Sequence, residues 1–139
     1  MGNTAILEKS LASFNQGDWE TYRALVADNC QYSEYATGRV IKSGDDFVSN
    51  SQAWKKAFPN AQGVATKRIE HGDFVVEEIT WSGTHTGEMH TPDGQVIPAT
   101  GKSMSVQAAM ISRCKNGKIV ETNHYFDMMT MLRQLGIAS

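Results

Sequence analysis

The stretch "DFVVEEITWSGTHTG", Asp73 to Gly87, decides the fold. Val75, Glu77, Ile79 and Trp81 alternate with Val76, Glu78 and Thr80, a period of two that belongs to a strand. Three more runs share that period: "GVATKRIEH" (63–71), "SMSVQAAMISRC" (103–114) and "KIVETNHYF" (118–126). Gly72-Asp73 separates the first two runs. Asn116-Gly117 separates the last two and is the strongest hairpin signal in the chain, because both residues tolerate positive φ. A meander of four long antiparallel strands follows.

Upstream of this meander the period is helical. Ile6 or Leu7, Leu11 and Phe14 recur as in a helix over 4–16, stopped by Gly17. Asp18 caps a second helix, "WETYRALVA" (19–27), with Glu20 in its first turn. "CQYSEYATG" (30–38) reads as a short strand. "SGDDFVSNSQAWKKAF" (43–58) is a third helix, with Phe47, Trp54 and Phe58 on one face and Pro59 at its end. A long loop, "GEMHTPDGQVIPATGK", joins Gly87 to Lys102; loops of that length often act as lids. A short helix follows Asp127 and ends at Gly136. The expected class is α+β: three N-terminal helices packed into a strongly curved, mostly antiparallel sheet, a cone whose open end is a natural pocket.

The totals bound the function. The chain has 139 residues, read as one domain (1–139), with 40% apolar residues, enough for one core. A net charge of −2 with no basic stripe argues against nucleic acid as a partner. No apolar run spans a membrane, and the N-terminus lacks signal-peptide and myristoylation patterns. A cytoplasmic protein is the expectation, with Cys30 and Cys114 as reduced, buried thiols. No metal-ligand spacing, phosphate loop or nucleophile elbow occurs. The chemistry expected of an enzyme here is cofactor-free proton transfer.

Asp127 and His124 are the candidate catalytic groups. Asp127 has a plainer role as helix N-cap, and a cap holds its carboxylate ionised where a base gains from burial. In a regular strand, residues 124 and 127 face opposite sides and converge only if the strand bends. His124 is otherwise a hydrogen-bonded residue of the outer face. His85, between glycines beside the long loop, is a rim donor or a solvated strand end. Gln107, amid apolar neighbours, is a buried amide that needs a partner, side chain or ligand. Tyr32 and Glu34 share one face of their strand; if it turns inward they form a second acid/base pair. Trp54, Phe58 and Trp81 are core aromatics that also stack on a flat ligand at a cone mouth. Met128, Met129 and Met131 suit an adaptable wall.

"FPN", "WSGTHTGE", "IPATGKSMSV", "CKNGKIVE" and "YFDMMTMLRQLGI", in this order and spacing, resemble the SnoaL-like polyketide cyclases. The resemblance covers nearly the whole chain. It implies the cone-shaped fold shared with nuclear transport factor two, ketosteroid isomerase and limonene-epoxide hydrolase. It implies an acid/base aspartate near the end of the last strand, matched here by Asp127. Other members carry a pattern like "EHWD" after the glycine-lysine turn. In "GKIVETNH" Asn123 takes the tryptophan place and His124 the acid place. The implied activity is an intramolecular aldol-type ring closure or isomerisation of a small hydrophobic carbonyl compound. A non-catalytic ligand-binding or scaffold protein is the alternative, and a homodimer through the outer sheet face is implied either way.

Overall fold

The computed structural model describes residues 2–137. Its elements run α1 (Asn3–Gln16), α2 (Trp19–Ala24), β1 (Val26–Glu34), β2 (Arg39–Ile41), α3 (Gly44–Ala57), β3 (Gln62–His71), β4 (Phe74–Thr84), β5 (Met89–His90), β6 (Val96–Ile97), β7 (Ser103–Lys115), β8 (Lys118–Phe126) and α4 (Met128–Gln134). Six strands form one curved sheet in the order β2-β1-β8-β7-β4-β3. All its pairings are antiparallel except β1 with β8. The α+β cone expected from the sequence is the architecture found.

Local chemistry sets the element ends. Gly17 takes φ 72° after α1, and the N–H groups of Gly17 and Asp18 close on the carbonyls of Phe14 and Ser13. Ser43 caps α3 by accepting the Asp46 N–H at 3.1 Å, with Asp45 and Asp46 in the first turn and Lys55 and Lys56 in the last. Asn116 and Gly117 turn β7 into β8 at φ 53° and 76°, as their sequence requires. Two boundaries differ from expectation. The second helix ends at Ala24, and β1 begins at Val26 rather than at Cys30. The long loop also carries its own small hairpin, β5 with β6, where Met89 pairs with Ile97.

Helices α1 and α3 cover the concave face of the sheet. Ile6, Leu7, Ser10, Ser13 and Phe14 are the buried side of α1. Burial of Ile6, Leu7 and Phe14, at about 25 cal/mol per Å² of apolar area, is what seats helix on sheet. One core cluster gathers Phe14, Tyr22, Tyr32, Phe47, Phe58, Met104, Val106 and Met131; a smaller one holds Ile6, Leu7, Leu25, Val75, Cys114 and Ile119. Cys30 and Cys114 are both buried and unpaired. No described helix is long and apolar enough to cross a membrane.

Candidate functional site

A cavity of about 100 Å³ lies between the helices and the concave face of the sheet. That is several times the roughly 10–15 Å³ one water needs. Its walls are mainly apolar: Phe14, Phe47, Trp54, Phe58, Trp81 and Phe126 among them. Into this wall the fold sets one continuous polar chain.

The chain begins at Glu34, the last residue of β1, whose side chain is fully buried. Its Oε2 accepts from Tyr32 Oη at 2.6 Å, Trp54 Nε1 at 3.3 Å and Asn50 Nδ2 at 3.4 Å. Its Oε1 accepts from Thr37 Oγ1 at 2.7 Å and Arg39 Nη1 at 3.3 Å. Tyr32 Oη also lies 2.8 Å from His124 Nδ1, and Trp81 Nε1 donates to His124 Nε2 at 3.2 Å. An indole N–H only donates. His124 Nε2 is therefore the acceptor, the neutral ring carries its proton on Nδ1, and that proton points to Tyr32 Oη. The Tyr32 proton then points to Glu34. The order is Trp81, His124, Tyr32, Glu34, with every donor assigned.

Burial governs the titration of these groups. It lowers the His124 pKa to about 4 against the raising pull of Glu34. It drives the Tyr32 phenol well above its ordinary value, helped by the neighbouring Glu34 charge. His124 is thus an uncharged imidazole at neutral pH, with the lone pair on Nε2.

Strand pairing explains the convergence. Tyr32 and Glu34 face the same side because they are two residues apart, and β1 pairs in parallel with β8 so that Glu34 stands opposite His124. The face they share is the concave one, so the inward orientation of Tyr32 and Glu34 is realised. Trp54, Phe58 and Trp81 also line the cavity.

Three expected residues lie elsewhere. Asp127 is exposed and caps α4: Oδ1 accepts the Thr130 N–H at 3.0 Å and Oδ2 its hydroxyl at 2.6 Å. These bonds hold its pKa below the ordinary carboxylate value. It does not line the cavity and does not share a site with His124, because the strand stays regular to Phe126. Gln107 is exposed on the outer face, where it accepts from Thr80 Oγ1 at 3.1 Å. Val106 and Ala108 are the buried residues of that segment, so alternation turns Gln107 out. His85 is fully buried outside the cavity. Its Nδ1 accepts the Thr100 N–H at 3.2 Å, and its backbone pairs with Gly101 and Lys102, so it pins the long loop. Met110 also lines the cavity.

Sequence reasoning missed Asn50, Ser51 and Tyr22. Ser51 and Tyr22 hydroxyls bond at 2.7 Å in the cavity wall. The signal was available: positions 47, 50, 51, 54 and 58 fall on one helical face, and Phe47, Trp54 and Phe58 had marked it.

A family model described as SnoaL-like polyketide cyclase matches residues 4–135. No curated protein matches the sequence. Among solved structures, IdmH of Streptomyces antibioticus, provisionally described as a polyketide cyclase, is 25% identical, with 98% of this chain and 99% of that one covered and a TM-score of 0.81. AclR of Streptomyces galilaeus, provisionally described as a hydroxylase, is 23% identical over 99% and 86%, with a TM-score of 0.82. A protein of Jannaschia sp. CCS1, provisionally described as a SnoaL-like polyketide cyclase, is 13% identical over 99% and 93%, with a TM-score of 0.85. The last two show a shared fold.

Proposed function

The chain belongs to the SnoaL-like polyketide cyclase family, and we propose that it is a cofactor-free acid/base enzyme acting on a hydrophobic carbonyl compound held in the cavity. The observation that carries this reading is the directional chain Trp81–His124–Tyr32–Glu34 in an apolar wall. His124 Nε2 takes a proton from the carbon beside a carbonyl. Its Nδ1 proton moves to Tyr32 Oη, and the Tyr32 proton moves to Glu34 Oε2. Negative charge leaves the carboxylate and arrives on the enolate oxygen. Trp81 Nε1–H, released from Nε2, then becomes a donor for that oxygen. In a ring closure the enolate carbon bonds to a second carbonyl carbon of the same molecule. The resulting alkoxide recovers the proton from Glu34 along the same chain. The relay lets a neutral histidine act as a base without leaving an imidazolium in the wall.

Hydrogen–deuterium exchange tests this directly. With 2-tetralone in D₂O, followed by NMR, the protein is expected to speed exchange at the carbon beside the carbonyl. His124→Gln and Tyr32→Phe are expected to lose roughly 10²–10⁴-fold of that acceleration, the usual range for a positioned acid/base. Exchange no faster than buffer, with the ketone bound, would leave a protein that holds its ligand without turnover. One observation favours this second reading: Trp81 already occupies the Nε2 lone pair.

A homodimer through the outer sheet face belongs to the same proposal. Tyr35 and Tyr125 stack there at 4.7 Å and 2°, both exposed, with Ile111 on the same face. Sedimentation is expected to give twice the mass of one chain, and a monomer at micromolar concentration removes this part.

A further inference from the structure

One cross-strand row runs the full width of the sheet. Arg39 on β2 stands opposite Glu34 on β1, Glu34 opposite His124 on β8, and His124 opposite Met110 on β7. Met110 stands opposite Glu77 on β4, and Glu77 opposite Arg68 on β3. Residues paired across neighbouring strands point to the same side. The row therefore reads Arg, Glu, His, Met, Glu, Arg along the concave face, and the relay uses only its first half.

Glu77 occupies the second half. It is 2% exposed, yet lines the cavity along with Leu7, Met110 and Thr122. Arg68 Nε donates to its Oε2 at 2.7 Å, and this is its only side-chain hydrogen bond among the described residues. Burial pushes the carboxyl up and the Arg68 bond pulls it back. A carboxylate with one oxygen clamped and one free is an acceptor without a donor. Nothing in the relay requires it. Oε1 is not fully buried, so a water-sized group reaches it and a ligand group can too.

We infer that Glu77 is a second recognition point of the cavity, whose free Oε1 accepts a hydrogen bond from a hydroxyl at the far end of the ligand. Two strand spacings separate Glu77 from His124, about 10 Å between Cα positions. Met110, polarizable and adaptable, forms the apolar floor between them. The matching ligand is flat and elongated, with a ketone at the His124 end, an apolar middle, and a hydroxyl or phenol at the Glu77 end. The inference rests on the reading of the cavity as a carbonyl-compound site and specifies which compounds that site selects.

Two fluorescent naphthalenes test it. 6-Hydroxy-2-acetonaphthone carries a ketone and a hydroxyl at opposite ends of a two-ring frame, and 2-acetonaphthone lacks the hydroxyl. The unaltered protein is expected to bind the hydroxylated compound about tenfold more tightly, the ratio one hydrogen bond to a charged acceptor gives. That ratio is expected to shrink in Glu77→Gln, whose neutral amide is a weaker partner for a hydroxyl, and to fall to about one in the charge-free pair Glu77→Met with Arg68→Met. Equal affinity in the unaltered protein, or a preference that survives in both variants, overturns the inference while the proposed function stands. If neither naphthalene binds, the cavity is not a site for such ligands, and both fall together.

Discussion

Neutral burial of His124 must register as a pH dependence of folding. The ring has a pKa near 6.5 when unfolded and about 4 in the fold. Between those values the unfolded chain binds a proton that the folded chain refuses. Stability from this residue is therefore complete above pH 6.5 and falls as pH drops toward 4. From pH 7.5 to pH 5.0 the linkage relation gives a loss of about 2 kcal/mol, because each tenfold difference in proton affinity is worth about 1.4 kcal/mol. The assay is urea unfolding followed by far-UV circular dichroism at the two pH values, for the unaltered protein and for His124→Gln. His85, also lowered by burial, adds a loss of the same sign, and Glu77, raised by burial, opposes it. Both remain in the variant, so subtracting the two pH differences isolates His124. The variant is expected to lose about 2 kcal/mol less than the unaltered protein over this range. Imidazole NMR on the unaltered protein is expected to show a protonated Nδ1 and a bare Nε2 at pH 7. An equal pH response in the two proteins, or a His124 ring titrating near its ordinary value, would refute the burial argument and the donor order built on it.

Tyr32→Phe removes the hydroxyl that joins His124 to Glu34 and leaves a buried Nδ1–H unpaired; a loss of about 3 kcal/mol is expected in urea unfolding. A loss within error of zero would mean that the hydroxyl is not in the network. Asp127→Ala removes only a helix cap, so about 1 kcal/mol of stability should go, with 2-tetralone exchange unchanged. Loss of that exchange in a folded Asp127 variant would return this residue to the mechanism. Gly87→Ala drives a Cβ into the Lys56 carbonyl oxygen. Neither backbone can move aside cheaply, so thermal unfolding should report a destabilisation of about 2 kcal/mol. A neutral result would show that the start of the long loop is not held against the end of α3.

Local signals carried the elements. The Asn116-Gly117 turn, the Ser43 and Asp127 caps, Gly17 and the alternation from Val75 to Trp81 are decided within a few residues by backbone sterics and hydrogen bonding. That is why the sheet-forming half and the capping role of Asp127 were legible. Gln107 shows where this legibility thins. Both sides of β7 carry apolar residues, with Ala109 and Ile111 facing opposite to Val106 and Ala108. Alternation alone therefore does not say which side is the core.

The sequence by itself determined where the strands and helices lie, which residues share a face, and the α+β class. Only the tertiary structure decided that the inner face joins Glu34 and Tyr32 to a histidine about ninety positions away. The same packing leaves Asp127, three residues beyond that histidine, in solvent. The reason is physical: periodicity fixes which side chains travel together. Which side is desolvated depends on the parallel pairing of β1 with β8 and on helices packed across that face, neither of which is encoded in any short stretch of chain.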